Sequence, residues 1–245
     1  MSMTHDIGVP SRLRLGTLGA VLLGAACLLV LVLAAELPAF HGLQVAVPYA
    51  VIALLLLRGL PYHAPHLHFG AANLVTLGRA VAVCLLAGLI GHPEKVTAAG
   101  WAVPLAALAI LALDGLDGYI ARHSGIASRY GARFDMEVDA FLTLVLALLV
   151  AQGGSVGPWI VLCGLMRYLF VGWLLVMPRF DRPLPPRFRR KAVFVAQAIG
   201  LLGALAPGMP PSLVLLLAGS AVGLVAASFA ADAFWLYRQA KKDQT

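Results

Sequence analysis

The chain has 245 residues, of which 61% are hydrophobic and only 12% are charged. Soluble domains carry about 25% charged residues, so this balance excludes an ordinary water-soluble globule and is typical of a membrane protein. The formal net charge is +7, but the Lys and Arg residues lie mostly in short gaps between apolar runs. In that position they favour anionic lipid headgroups as partners, and we expect no nucleic acid.

Apolar runs of about 20 residues, the length that crosses the hydrocarbon core, recur along the whole chain. Turn signals such as Gly153-Gly154 and the prolines at 207, 210 and 211 separate them. The predicted transmembrane helices are eight in number, at residues 13–35, 43–60, 72–91, 98–121, 134–152, 157–177, 191–207 and 211–237. The predicted fold class is therefore all-α, an integral membrane helical bundle.

The positive charges predict an orientation for these spans. With the N-terminus in the cytoplasm, nearly all Lys and Arg residues fall at inner ends, Arg79 among them, and Lys95 falls on an outer loop. This asymmetry predicts both termini on the cytoplasmic side of a plasma membrane, such as the inner membrane of a bacterium. The first run exceeds the length of a signal-peptide core, so we expect it to be a retained helix. His63, His66 and His68, in an inner gap, are interpreted as interfacial histidines.

Four aspartates interrupt two consecutive apolar runs near their inner ends: Asp114, Asp117, Asp135 and Asp139. A charged side chain inside a span costs on the order of 2.5–3.5 kcal/mol, so four unpaired carboxylates would cost about 10 kcal/mol and must be compensated. Within each helix the two aspartates are three or four residues apart, so each pair shares one helix face. In two antiparallel helices with a rise of ~1.5 Å per residue, the two pairs lie at matching depths.

Carboxylate oxygens are ligands that suit Mg²⁺ or Mn²⁺, and a pair of such ions can bridge a pyrophosphate. We therefore predict a metal site that holds two ions between the four aspartates. Gly115 and Gly118 have no side chains, so a nucleotide can approach the backbone of the first of the two helices closely. Arg122, one turn after Gly118, lies on the same face and suits a phosphate.

The stretch from Asp114 to Asp139 resembles the motif of the CDP-alcohol phosphotransferases, also called CDP-alcohol phosphatidyltransferases. That motif is D-x2-D-G-x2-A-R-x8-G-x3-D-x3-D, and all eight specified positions are present here at the family spacing. Upstream, the segment Asn73-Leu-Val-Thr76-Leu-Gly-Arg79 is similar to the one that opens the first core span of the family. The resemblance implies a six-helix core, placed at residues 61–245. Residues 1–60 would form a preceding domain, with a cytoplasmic tail and two additional transmembrane helices.

The resemblance also implies a role for each matching position. The four aspartates would be metal ligands, and Asp139 would also be the general base. The positions implied to contact the CDP moiety are Gly118, Ala121, Arg122, Gly131, Asn73 and Thr76. The implied enzyme is a transferase that moves a phosphatidyl group from CDP-diacylglycerol to a small alcohol, with release of CMP. The implied assembly is a homodimer.

Three basic residues are candidates for binding a phosphorylated acceptor: Arg167, Arg190 and Lys191. Arg167 lies in mid-span, where an ionisable residue by default indicates function. The alternative for Arg167 is an ion pair with Asp232, which lies in a later span. The alternative for the basic run 187–191 is simple anchoring on anionic lipid.

Three other functions stay open at this point. CDP-choline or CDP-ethanolamine can be the donor, with diacylglycerol as the acceptor. A Mg-dependent membrane prenyltransferase also uses aspartates within the membrane, but it separates its two acidic motifs widely, whereas here both lie within residues 114–139. An ion-coupled transporter would place its carboxylates near the midplane, in contrast to the position near one face predicted here.

Overall fold

The computed structural model describes residues 10–34, 39–63, 67–123, 128–180, 182, 184–185 and 188–242. These ranges contain α-helices and short 3₁₀ turns but no strand, so the predicted all-α class is confirmed. The helices are α1 (Ser11–Ala34), α2 (Ala39–Gly59), α3 (Ala71–Ala87), α4 (Pro93–Ala99), α5 (Ala102–His123), α6 (Arg129–Gln152), α7 (Leu162–Val176), α8 (Phe188–Ala204) and α9 (Pro211–Lys242). The 3₁₀ turns are Leu60–His63, Pro158–Val161 and Pro178–Phe180.

Each of the eight predicted spans overlaps one long helix, but fewer helices qualify as membrane spans. Within the described ranges, four segments are long and apolar enough to cross a membrane: Ser11–Leu33, His41–His63, Pro158–Val176 and Pro211–Lys241. A fifth is added if α4 and the first part of α5, which are bent by 83° at their junction, count as one broken span. The chain is an integral membrane protein, and the predicted number of eight spans is not confirmed.

The remaining helices fall short for identifiable reasons. Both α3 and α8 have 17 residues, a length of about 26 Å, whereas the hydrocarbon core is about 30 Å thick. Five of the eleven residues in the first three turns of α6, residues 129–139, are charged types by sequence. Gly100 lies at the junction of α4 and α5 and ends α4. Its φ of 54° is readily accessible only to glycine.

The chain forms two compact units, and the first comprises residues 1–89 and 106–139. In this first unit α1, α2 and α3 pack on one another through buried aliphatic side chains such as Leu28, Val45 and Val83. Gly24 of α1 lies against the ring of Tyr49 of α2, whose hydroxyl donates a hydrogen bond to the Val21 carbonyl at 2.7 Å. Small residues at such a contact let two helix backbones approach, as is usual in membranes.

The start of α6 is held by the end of α2. The buried hydroxyl of Tyr130 donates a hydrogen bond to the Leu56 carbonyl at 2.8 Å. Gly59 lies so close to the same ring that a Cβ there would be 2.8 Å from the Tyr130 Cε2 atom. The second helix of the N-terminal pair thus supports the helix that carries Asp135 and Asp139.

Removing the Tyr130 hydroxyl tests this support. Because a hydrogen bond of this kind contributes about 1 kcal/mol net, we expect Tyr130→Phe to lower the melting temperature by about 2–4 °C. Thermal unfolding of the purified chain in detergent measures the effect. Tyr62→Phe is the matched control, since the Tyr62 side chain is 78% exposed. Equal melting temperatures for the two variants would contradict the prediction.

The second unit comprises residues 90–105 and 140–245. Here α8 and α9 form an antiparallel hairpin in which Gly200 faces the backbone carbonyl of Leu217, while α7 packs against α9. Gly164 of α7 lies directly against α6, so that a Cβ there would be 2.6 Å from the Leu144 Cβ and 2.7 Å from its backbone nitrogen. The close approach of α7 to α6 therefore depends on the absence of a side chain at position 164.

Candidate metal centre

Three helices of the first unit, α3, α5 and α6, bring charged side chains to one place. Asp114 comes from α5, and Asp135 and Asp139 lie four residues apart on α6, so that both face the same way. The start of α6 is fixed by Ser128, whose Oγ accepts a hydrogen bond from the Gly131 N–H at 3.0 Å. This is the N-cap arrangement, which satisfies a backbone donor that the helix itself leaves unpaired.

The three carboxylates form a cluster. One oxygen from each of Asp114, Asp135 and Asp139 lies within 4.8 Å of the others. The side chains are 31%, 33% and 18% exposed, respectively, so the cluster is partly open. Three converging carboxylate oxygens are a donor set that suits a hard divalent cation, and these residues therefore fit a Mg²⁺ or Mn²⁺ site.

The predicted cluster had four members, and the fourth is Asp117. Asp117 lies on α5, as do Gly118, Ala121 and Arg122, but the side chains of these residues are outside the described part of the structure. Their predicted roles, a metal ligand for Asp117 and nucleotide contacts for the other three, stay predictions.

A buried arginine binds the carboxylates together. The Arg79 guanidinium donates from Nη1 to Asp114 Oδ1 at 3.1 Å and to Asp135 Oδ1 at 2.6 Å, and from Nη2 to Asp139 Oδ1. Its Nε–H donates to the Ile110 carbonyl of α5 at 3.1 Å. The side chain of Arg79 is 0% exposed. One cation of the protein itself therefore compensates part of the negative charge of three half-buried carboxylates.

The sequence analysis counted Arg79 only among the charges that orient the spans, and its burial and its three carboxylate partners were not predicted. The residue lies in the interior of α3 and is the largest fully buried side chain among the described residues. A signal was present in the sequence: Arg79 stands inside the predicted span 72–91, and an intramembrane charge requires a partner. That rule was applied to Arg167 but not to Arg79, which was counted with the residues that orient the spans.

Asn73 and Thr76 are buried on α3, on the same side of the helix as Arg79. The Asn73 Nδ2 donates to the Phe69 carbonyl, and the Thr76 hydroxyl donates to the Ala72 carbonyl at 3.1 Å. The Asn73 Oδ1 lies against Gly131, where a Cβ would be only 2.7 Å away. This close contact is a packing reason for glycine at position 131. The nucleotide contacts proposed for Asn73, Thr76 and Gly131 stay predictions.

His63 also has partners that were not predicted from the sequence. It was expected at the interface, but its side chain is fully buried, whereas His68 is exposed and His66 lies outside the described residues. The His63 Nε2 lies 3.0 Å from the His68 carbonyl and Nδ1 lies 3.0 Å from Ser128 Oγ. Because a carbonyl only accepts, Nε2 carries a proton, and in the neutral ring Nδ1 then accepts from the serine hydroxyl. His63 therefore helps to fix the residue that caps α6.

The candidate acceptor-binding residues belong to the second unit. Arg167 is half-buried on α7 and Lys191 is exposed on α8. Asp232 of α9 is buried and forms ion pairs with Arg189 at 2.6 Å and with Arg190 at 3.5 Å. The suggested partner of Arg167 is thus bound by two arginines of α8. Arg190, itself a candidate for the acceptor, also donates to the Pro185 carbonyl.

Comparison with models of protein families matches residues 69–231 to the family described as CDP-alcohol phosphatidyltransferase. The matched range is more than half of the chain and contains Arg79, the carboxylate cluster and the candidate acceptor-binding residues. Searches of curated proteins and of solved structures found no match.

Proposed function

Because the chain belongs to the CDP-alcohol phosphatidyltransferase family, we propose that it transfers a phosphatidyl group from CDP-diacylglycerol to a small alcohol and releases CMP. Members of the family are membrane transferases of phospholipid biosynthesis that use a divalent metal. The observation that carries the proposal is the convergence of Asp114, Asp135 and Asp139 at one partly open site. The family match also favours this class over a prenyltransferase or a transporter.

The proposed metal ligands are Asp114, Asp117, Asp135 and Asp139, and the proposed cofactor is Mg²⁺ or Mn²⁺, two ions in all. When bound, divalent cations neutralise the charge of a pyrophosphate and stabilise its displacement. The carboxylate oxygens within 4.8 Å of one another support this assignment, because hard cations prefer such ligands. Gly118, Ala121, Arg122, Gly131, Asn73 and Thr76 are the proposed contacts of the CDP moiety.

Asp139 is the proposed general base. Its side chain is 18% exposed, less than those of Asp114 and Asp135, but it is not fully buried. The carboxylate would take the proton from the acceptor alcohol as its oxygen attacks the phosphorus of the phosphatidyl group. A new P–O bond forms to the acceptor, the P–O bond to the cytidylate breaks, and its electron pair leaves with CMP.

The acceptor is proposed to be a small alcohol that carries a phosphate. Arg167, Arg190 and Lys191 are the proposed acceptor-binding residues, since cationic side chains suit a phosphate. Arg189 and Arg190 bring two positive charges to the single negative charge of Asp232, so one positive charge is left over on that part of α8. This excess supports an anionic acceptor over a neutral one such as serine.

The orientation and assembly are proposals of the same kind. We propose that both termini and the site face the cytoplasm, on the grounds of the charge asymmetry of the sequence. We also propose a homodimer, which the family resemblance implies. The division into a domain of residues 1–60 and a core of residues 61–245 likewise stays a prediction.

The experiment is CMP release by the purified chain with Mg²⁺. CDP-diacylglycerol is supplied with glycerol 3-phosphate, inositol phosphate or serine, and in a parallel series CDP-choline or CDP-ethanolamine is supplied with diacylglycerol. We expect CMP only with CDP-diacylglycerol and a phosphorylated acceptor, and none after addition of EDTA. Release from CDP-choline with diacylglycerol would reverse the donor assignment. No release from any CDP-linked donor would overturn the proposed reaction.

A further inference from the structure

The carboxylate cluster has a closed side and an open side. Arg79 lies on the closed side, with no exposed surface, while the three aspartates retain 18–33% of theirs. The guanidinium is also tied at its other end, through Nε, to the Ile110 carbonyl. An incoming cation therefore meets the carboxylates from the open side, and Arg79 cannot leave without unpacking α3.

The charges of the cluster are only partly balanced by the protein. Among these four side chains, Asp114, Asp135 and Asp139 contribute three negative charges and Arg79 contributes one positive charge. Without Arg79, three carboxylates with oxygens within 4.8 Å of one another would repel each other more strongly in surroundings of low dielectric constant. Arg79 thus helps to keep the three carboxylates together in the metal-free protein.

We infer that Arg79 is the resident counter-ion of the carboxylate cluster, a positioning residue that stabilises the site before any metal is bound and opposes metal binding. Both effects favour the metal-free protein over the metal-bound protein. Arg79 attracts the carboxylates in the metal-free protein and repels a divalent cation in the metal-bound one. The inference rests on the proposed function only for the choice of Mg²⁺ as the cation.

Thermodynamic linkage turns this inference into a measurable difference. A ligand that binds only the folded protein raises its stability by an amount set by its affinity. If Arg79 stabilises mainly the metal-free protein, its removal lowers stability more in EDTA than in Mg²⁺. A residue that only fills space in α3 would lower stability equally in both.

The test is thermal unfolding of the full chain in detergent, with EDTA or with excess Mg²⁺. We expect Arg79→Gln to melt at least about 5 °C below the unaltered chain in EDTA, and to regain a large part of the loss in Mg²⁺. Equal losses in EDTA and Mg²⁺ would overturn the inference. If Arg79→Gln does not fold, Arg79→Met is used for the same comparison, because methionine also removes the charge but fills the space with a flexible apolar side chain.

A double-mutant cycle separates charge from packing. In EDTA, Asp139→Asn removes one of the repelling charges, so Arg79→Gln combined with Asp139→Asn is expected to melt above Arg79→Gln alone. Additive losses in the double variant would contradict a role as counter-ion. Both arms measure unfolding, so they decide the question even if the chain releases no CMP from any donor.

Metal affinity supplies an independent readout. Mn²⁺ binding without nucleotide, followed by electron paramagnetic resonance, is expected to be about tenfold tighter in Arg79→Gln, within the usual range for coupled sites. Glu137→Gln, a neutral replacement on the same helix outside the cluster, is the control. Weaker Mn²⁺ binding in Arg79→Gln would show that Arg79 is needed for the metal-bound geometry, and would overturn the inference.

Discussion

Asp139→Asn is expected to release CMP about 10²–10⁴-fold more slowly than the unaltered chain at saturating Mg²⁺, the usual effect of losing a general base. An amide cannot take the proton of the acceptor hydroxyl, and it is a weaker metal ligand than a carboxylate. The Asn Oδ1 atom can still accept the hydrogen bond from Arg79 Nη2 that Asp139 accepts. We therefore expect the variant to fold, so that the loss lies in the chemistry.

CMP release with both donor and acceptor at saturating concentrations measures this effect. The matched control is Glu137→Gln, two residues away on α6, which is not a member of the carboxylate cluster. We expect the control to keep the activity of the unaltered chain. If Asp139→Asn turned over at the unaltered rate, another group would have to accept the proton.

Gly164→Ala is expected to have the largest effect on stability. A Cβ at position 164 would lie 2.6 Å from the Leu144 Cβ and 2.7 Å from the Leu144 nitrogen, so the obstacle includes backbone that cannot rotate away. The helices α6 and α7 would have to separate, and overpacking of this kind costs 1–3 kcal/mol or more. A fall of about 2–12 °C in melting temperature follows from this range, and the backbone clash favours its upper half.

Gly172→Ala, on the same helix, is the control for this prediction. Its Cβ would meet nothing within 4 Å. Since alanine is favoured over glycine in a helix by about 1 kcal/mol, Gly172→Ala should melt at the same temperature as the unaltered chain or slightly higher. Similar losses in the two variants would mean that the contact with Leu144 does not limit the packing of α7.

Much of the helical architecture could be predicted, because apolar runs and glycine or proline breaks are local signals. The convergence of Asp135 and Asp139 with Asp114 could also be predicted, since helix periodicity sets the first pair and a short connection brings the second helix back. Family resemblance identified the same residues from their spacing. The number of membrane spans was harder to predict than the helices themselves, because the length of an apolar run does not by itself decide whether α3 or α8 crosses a membrane.

The partners of buried charges were harder to predict. The sequence analysis recognised that the aspartates needed compensation and assigned all of it to metal ions, whereas Arg79 provides part of it. Arg79 and Asp135 are 56 residues apart in the chain, and no periodicity connects them. His63 and Ser128, which are 65 residues apart in the chain, are a similar case. Such pairs are set by tertiary packing, which a single sequence does not specify.

The hydrogen bond from Tyr130 to the Leu56 carbonyl has a consequence for the evolution of this protein. The family match begins at residue 69, after the two leading helices, yet α2 supplies an acceptor to the helix that carries Asp135 and Asp139. Once the start of α6 had come to rely on that contact, deletion of the helix pair would lower the stability of α6. Retention of the pair would then need no activity of its own, only the dependence of α6 on a neighbour acquired earlier.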